Sequence, residues 1–175
     1  MSTYQIDTAH THAQFKVRHL MISNVKGDFD KVSGTVTIDD SNHALSGINV
    51  TIDVASISTR EPQRDAHLKS PDFFDVEKFP TLSFKSTSVI RRPDDELEVE
   101  GDLTIHGVTR KVRLAVEGPT AAGKDPWGNT RIGASAIAKI NRKDYGLVWN
   151  AALETGGLLV GDDVAITIDA EFIKA

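Results

Sequence analysis

The 175-residue sequence contains no cysteine. This absence excludes disulfide bonds, thiolate metal ligands and a cysteine nucleophile. No apolar run approaches the length of about eighteen residues that a membrane-spanning helix needs. Residues 1–7 carry neither the basic region nor the apolar region of a secretory signal, so the chain as written is predicted to be cytoplasmic.

A concentration of positive charge is also missing. The formal net charge is −5, and acidic and basic residues are spread along the whole chain. Because a nucleic-acid-binding protein would show clustered lysine and arginine, nucleic acid is not an expected partner. The negative charge is interpreted as favouring solubility. The length suits a single domain over residues 1–175, with a core large enough for stability.

Motifs of catalysis are scarce. The chain has no G-x-S-x-G nucleophile elbow and no phosphate-binding G-x-x-x-x-G-K-[ST] loop. Gly156 and Gly157 are interpreted as turn residues rather than as part of a nucleotide site. The sequence therefore shows no nucleophile motif.

Alternation between apolar and polar residues dominates the chain, and this pattern predicts strands with one buried and one solvated face. The runs number about eight, no linker divides them, and they extend to both ends of the chain. Because closure removes exposed sheet edges, the predicted fold is an all-β, eight-stranded antiparallel barrel, with a two-sheet sandwich as the alternative. The clearest runs are residues 13–19, 32–39, 48–54, 82–85, 97–116, 131–140 and 164–172.

Residues 97–116 predict a hairpin with a defined register. His106 and Gly107 are interpreted as its two-residue turn, because both residue types occur at positive φ. Apolar residues then meet on one face and opposite charges on the other. The predicted pairs are Leu97 with Val116, Val99 with Leu114, Gly101 with Val112, Ile105 with Val108, Glu100 with Arg113, Asp102 with Lys111, Thr104 with Thr109, and Leu103 with an Arg110 whose head reaches water.

One segment departs from the β pattern. Ser58 and Glu61 have the spacing of a capping box, and good helix formers follow over residues 63–69 until Pro71. A short helix is therefore predicted between two strands. Its cluster of Arg64, Asp65, Ala66 and His67 has two interpretations. In the first, these residues grip the head of a ligand or latch the helix to the barrel. In the second, they form a solvated helix face, and composition alone favours this second interpretation.

The histidines offer little support for a metal. His10 and His12 lie on one face of a predicted extended segment but make only half of a site, so no metal is expected. His19 ends an apolar run and is predicted to point inward, either as a hydrogen-bonded interior residue or as a contact to a ligand.

The order and spacing of these segments resemble the YceI-like family, the lipocalin-like polyisoprenoid-binding proteins. The match covers nearly the whole chain, and it is specific because the segments occur together in this order. They are Ile6-Asp7, His10-Thr11, FKVRHL at 15–20, VKGDF at 25–29, Thr59, RDAHLKSPDFFDV at 64–76, KFPTLSF at 78–84, GDLTIHGVT at 101–109, INRKDYG at 140–146 and VGDDV at 160–164.

The resemblance implies an eight-stranded barrel whose long apolar lumen holds an isoprenoid or similar lipid tail, with no catalytic residue and no other cofactor. Many relatives are exported to the periplasm, whereas no signal is visible here. The family begins its first strand with tryptophan where this chain has Tyr4. An eight-stranded barrel is just wide enough for one slim ligand, and a strand of about ten residues spans roughly 33 Å.

The predicted function is binding of a polyisoprenoid, such as an isoprenoid quinone, for transport, storage or sequestration. The alternatives are an enzyme acting on such a lipid, with His19 or His67 as acid–base group, and a structural or stress-related domain with an incidental cavity. Apolar patches on a barrel exterior would also allow a homodimer. The predicted ligand-contacting residues are Phe15, Val17, His19, Phe29, Arg64, His67, Phe73, Phe74, Phe84, Leu114 and Trp149.

Two further expectations concern the lumen. Small residues on inward faces should supply its space, namely Ala134, Ala136, Ala138, Gly101 and Gly34. Phe73 and Phe74 are expected to cover one end of the barrel, as a lid or as a plain plug. In an extended segment neighbouring side chains point to opposite sides, so at most one phenylalanine is expected to face the lumen directly and the other to pack under the helix.

Overall fold

Alternating apolar residues form antiparallel strands along most of the chain in the computed structural model, which describes residues 1–42, 44–153 and 158–175. The predicted turn at Gly156 and Gly157 lies outside these residues. The strands are β1 (Ser2–Ile6), β2 (His12–His19), β3 (Ser23–Phe29), β4 (Val32–Asp39), β5 (Ala44–Asp53), β6 (Ile57–Ser58), β7 (Thr81–Arg91), β8 (Leu97–Ile105), β9 (Val108–Glu117), β10 (Gly123–Lys124), β11 (Thr130–Asn141) and β12 (Val160–Lys174).

These strands close into one ring. β1 and β2 are two halves of one barrel strand, since both pair with β12, and β3 and β4 are likewise the two halves of the next. The ring continues through β5, β7, β8, β9 and β11, and β11 returns to β12 along residues 131–141. The predicted eight-stranded antiparallel barrel is therefore confirmed, and the sandwich alternative is wrong because β11 pairs with both β12 and β9 and so closes the ring.

The hairpin register predicted for residues 97–116 is confirmed along its whole length. His106 and Gly107 have φ values of +55° and +72°, as a type I′ turn requires. On the outer face Arg113 Nε lies 3.2 Å from Glu100, and Lys111 Nζ lies 4.0 Å from Asp102.

One neighbouring pair of strands is joined over a short stretch. Pairing between β9 and β11 is confined to Ser135, Ala136 and Ile137 of β11. Continuing this register would place Arg113 opposite Lys139, and like charges in that position are destabilising. Lys139 instead lies 3.3 Å from Asp163 on β12. The ring of Tyr145 is buried beside the part of β9 and β11 that is not paired, and burial raises the pKa of its hydroxyl to about 12.

The interior has two apolar clusters. One packs an end of the barrel, and its core includes Tyr4, Leu97, Val99, Val116 and Phe172. The other lies towards the end that carries the helix. Side chains of both clusters border a cavity inside the barrel.

The helix, α1 (Pro62–Lys69), begins later than a capping box at Ser58 would require. Glu61 is the cap, and its side chain accepts a hydrogen bond from the Gln63 amide (3.1 Å). Ser58 belongs to β6 and pairs with Asp28. The short helix predicted over residues 63–69 is confirmed. The predicted cap at Ser58 was wrong, because Arg60 takes a positive φ of +64°, which separates the strand from the helix. None of the helices in the described residues has the length and apolar composition of a membrane-spanning segment.

Candidate functional site

The barrel encloses a cavity of about 340 Å³. Its walls are almost entirely apolar and come from strands all round the ring. Inward residues of β12 and β9 supply much of the wall, because alternate positions of a strand share a face. Examples are Ile166, Ile168, Val112 and Leu114.

All eleven residues predicted to contact a ligand border this cavity. Some of them were predicted from the alternation of inward and outward positions along the strands. The others lie on the helical segment and on the loop before β12. Contact between these residues and a ligand remains a prediction. They are Phe15, Val17, His19, Phe29, Arg64, His67, Phe73, Phe74, Phe84, Leu114 and Trp149.

The small residues divide into two groups. Ala134, Ala136 and Ala138 border the cavity, as expected. Gly101 and Gly34 were expected to open space in the lumen, and this was wrong. A Cβ atom on Gly101 would lie 2.5 Å from the Phe84 ring, and one on Gly34 would lie 2.0 Å from the Asn49 carbonyl oxygen. Neighbouring atoms already fill both positions.

Three aromatic rings from separate segments meet beside the cavity. The His67 ring lies edge-on to Phe73 (5.1 Å between centroids) and to Trp149 (4.7 Å), and Phe73 and Trp149 are 5.4 Å apart. His67 Nε2 also lies 2.9 Å from an Asp72 carboxylate oxygen. This aromatic cluster joins α1 to the segment before β12.

Phe73 and Phe74 both border the cavity, which corrects the expectation that one would lie under the helix. Residues 71–74 form turns rather than extended chain, so the alternation rule does not apply to them. Phe73 belongs to the aromatic cluster, whereas Phe74 meets the Phe29 ring edge-on at 6.0 Å. The segment therefore contributes two rings to the cavity wall.

The charged cluster on α1 is a latch and not a solvated helix face. Arg64 donates to the hydroxyl and the carbonyl oxygen of Thr59, both at 2.8 Å. Asp65 accepts hydrogen bonds from the Thr59 amide (2.8 Å) and hydroxyl (2.6 Å). Thr59 is buried, so these bonds hold the helix against the barrel.

Arg142 is a buried cation at the same end of the barrel, and the sequence reasoning did not single it out as a site residue. Its guanidinium donates to the carbonyl oxygens of Leu147 (2.6 Å), Trp149 (2.9 Å) and Gly161 (2.8 Å). Burial lowers its pKa, and the Asp162 carboxylate acts in the opposite direction. The carbonyl oxygens satisfy the guanidinium N–H donors, and the bonds to Leu147 and Trp149 hold the segment that carries Trp149.

His19 faces the cavity and is half-buried. Within the described part of the chain its imidazole makes no hydrogen bond. The structure therefore does not support the reading of His19 as a hydrogen-bonded interior residue and leaves both ring nitrogens available to a polar group in the cavity.

His10 and His12 do not form a pair. Residues Thr8–His10 are a 3₁₀ turn, so the assumption of an extended segment was wrong. His10 instead comes together with the carboxylates of Asp7 and Glu171, which the sequence spacing did not reveal. Arg131 donates to Asp7 (2.6 Å) and to Glu171 (3.2 Å), so a cation already neutralises this group.

The chain belongs to the YceI-like domain family, whose model matches residues 4–172. It is 38% identical to a UPF0312 protein of Staphylococcus aureus over 173 residues, which cover 98% of each chain. It is 41% identical to a UPF0312 protein of Vibrio cholerae over 146 residues, covering 82% of this chain and 77% of the relative.

Solved structures share the fold. A YceI protein of Campylobacter jejuni is 30% identical, with a TM-score of 0.73 over 90% of both chains. BcnA of Burkholderia cenocepacia is 23% identical, with a TM-score of 0.76 over 95% of this chain and 98% of its own. A polyisoprenoid binding domain from Saccharophagus degradans is 16% identical, with a TM-score of 0.70 over the whole of both chains.

Proposed function

We propose that this protein binds a polyisoprenoid or a similar long-chain lipid in the barrel cavity. The observation that carries the proposal is the apolar cavity of about 340 Å³ inside a closed barrel. This volume lies in the range of about 300–1,000 Å³ that small-molecule pockets occupy. Membership of the YceI-like family and the likeness in fold to a polyisoprenoid binding domain support the same ligand class.

The physical driving force is removal of the lipid chain from water. Burial of apolar surface gains about 25 cal/mol per Å², and the cost of ordering the chain reduces this gain. The cavity wall contains no carboxylate among the described residues. The interior therefore suits an uncharged hydrocarbon chain.

Polar groups at the helix-bearing end suit the lipid's head group. His19, Arg64 and His67 border the cavity there. Arg64 is hydrogen-bonded to Thr59 and His67 to Asp72, whereas the ring nitrogens of His19 have no hydrogen-bond partner among the described residues. We therefore assign His19 as the first polar contact of the head group.

The lipid content of the protein tests the proposal most directly. Native mass spectrometry of freshly purified protein, followed by lipid extraction, should find one chemically unchanged prenyl lipid per chain. Binding should persist after chelation, because no metal is part of the proposed site. Recovery of a chemically altered lipid would favour the alternative, an enzyme with the unpaired His19 as acid–base group. A cavity that takes up no prenyl lipid would contradict both.

A substitution that fills the cavity provides the matched test. Ala136 points into the cavity, and Ile137 beside it is 58% exposed on the outer face of β11. Ala136→Phe should abolish uptake of a fluorescent prenyl analogue at a stability cost of about 1–3 kcal/mol. Ile137→Phe should leave uptake unchanged. Equal uptake by both variants would place the ligand elsewhere.

A further inference from the structure

The turn between β2 and β3 has an unusual sequence for its backbone. Leu20 and Met21 have φ values of +53° and +58°, and the Ile22 amide donates to the His19 carbonyl oxygen (3.2 Å). This is a type I′ turn, for which Asn-Gly is the preferred pair because both central residues need positive φ. Two bulky apolar residues therefore adopt a backbone conformation that favours glycine.

The side chains of this turn project into solvent. Leu20, Met21 and Ile22 are 38%, 58% and 75% exposed. The Leu20 amide donates to the carbonyl oxygen of Leu159 (2.9 Å), which borders the cavity. Backbone strain and exposed apolar surface thus coincide at the rim of the cavity, and both are features that a stable monomer has no structural reason to keep.

The outer face of the same hairpin is cationic on balance, since it carries Lys16, Arg18 and Lys26 against one carboxylate, Asp28. Lys16 and Lys26 are directly opposite each other, and Arg18 Nη2 donates to the Met21 carbonyl oxygen (3.2 Å). Lysines in that arrangement repel each other. In the described part of the chain, none of these three cations lies within 4.0 Å of a carboxylate. In a chain with a net charge of −5, this face is a local exception.

We propose that the β2–β3 hairpin docks the protein on an anionic lipid bilayer. The tip of Leu20, Met21 and Ile22 enters the boundary between head groups and acyl chains, and the cations on the outer face contact lipid phosphates. A bilayer fits better than a second copy or a protein partner, because the apolar surface is a narrow projecting tip flanked by cations that no carboxylate of residues 1–42, 44–153 and 158–175 approaches within 4.0 Å.

Docking at this position brings the cavity next to the membrane. Val17 and Val25 of the hairpin border the cavity, so a lipid leaving the bilayer beside the tip would meet the barrel interior. This route into the cavity rests on the proposed lipid binding, whereas docking itself does not. Vesicle binding and ligand uptake are therefore measured separately.

Sedimentation with phosphatidylcholine vesicles, with and without phosphatidylglycerol, tests docking. The variant Leu20→Asn/Met21→Gly/Ile22→Ser carries residues that this turn prefers, so it should fold at least as stably as the wild type. It should bind anionic vesicles about tenfold more weakly or worse, because its apolar tip is gone. Lys16→Glu/Lys26→Glu should abolish the preference for phosphatidylglycerol. Ile90→Ser, at an exposed apolar position on β7, should bind like the wild type.

Uptake of a prenyl analogue from vesicles should be slower in the tip variant, while binding of a water-soluble short-chain analogue should be unchanged. Docking is contradicted if the wild type ignores anionic vesicles or if the tip variant binds them equally well. A dimer that the tip substitution dissociates would also overturn it, since a second copy would then cover the tip. Vesicle binding without any prenyl uptake would support docking and remove only the proposed lipid function.

Discussion

Arg64 donates two hydrogen bonds to Thr59, one from Nε to the hydroxyl and one from Nη2 to the carbonyl oxygen, both at 2.8 Å. The same hydroxyl donates to Asp65 at 2.6 Å. Thr59 thereby connects the end of β6 to the first turn of α1. Because α1 carries His67, this connection also sets the position of the aromatic cluster.

Thr59→Val should lower the free energy of unfolding by about 1–3 kcal/mol, because Arg64 and Asp65 lose a buried hydrogen-bonding partner. Urea unfolding measures the change. Thr51→Val is the matched control, since Thr51 is exposed on β5 and the substitution keeps a β-branched residue in a strand. Equal stability of the two variants would mean that the Thr59 hydroxyl does not hold the helix.

Arg131 should make stability depend on acid pH. Its guanidinium is hydrogen-bonded to Asp125 and Asp7 at 2.6 Å each and holds the pKa of both carboxyls below the usual range. Carboxyls with a lowered pKa stabilise the fold above their unfolded pKa of about 3.9, and this stability is lost as pH falls through the lower, folded pKa.

Arg131→Gln should therefore flatten the decline in stability between pH 5 and pH 2, compared by urea unfolding with the wild type. Arg91→Gln removes the ion pair with Asp95, in which both side chains are largely exposed, and should leave the pH profile unchanged. A wild-type decline that Arg131→Gln preserves would locate the acid sensitivity elsewhere.

Arg142→Met should cost about 3 kcal/mol or more, because several carbonyl oxygens lose a charged donor in a buried position. The segment carrying Trp149 should also loosen, so that a fluorescent prenyl analogue leaves the cavity faster in stopped-flow experiments. Lys143→Met removes a neighbouring, exposed cation and should change neither stability nor release. Slow release from a destabilised Arg142→Met would contradict a role for Arg142 at the cavity.

Phe73 and Phe74 should control ligand release. Replacing both by alanine should accelerate release, at a stability cost of about 3–5 kcal/mol for each phenylalanine. Phe79→Ala is the control, because Phe79 packs on His106 at the β8–β9 turn and does not border the cavity. If the double variant does not fold, Phe73→Leu tests the same point with a smaller loss of packing. Unchanged release from a folded variant would leave the segment as a plug.

The strands were predictable where two independent patterns agreed. Between Leu97 and Val116, apolar pairing on one face and charge pairing on the other allow a single register, because a shift by one residue would invert both. The alternation of apolar and polar residues also predicted which side chains face inward. Phe15, Phe84 and Leu114 were placed on inward faces in this way, and all three border the cavity.

Predictions failed where the backbone departed from the regular helix or strand conformation that they assumed. Arg60 at positive φ moved the helix cap from Ser58 to Glu61. Turns at residues 71–74 directed both phenylalanines to the cavity. Arg142 was missed as part of the site because its hydrogen bonds go to backbone carbonyl groups, and such partners leave no mark on the sequence.

The short pairing between β9 and β11 determines where the barrel is easiest to open. Separating Ser135–Ile137 from β9 would convert the closed ring into an open sheet, whereas β11 is held to β12 along residues 131–141. Backbone amides on either side of this seam should therefore be among the first in the barrel to exchange their hydrogens with solvent. An opened seam also exposes two complementary strand edges, from which strand exchange between two copies would begin.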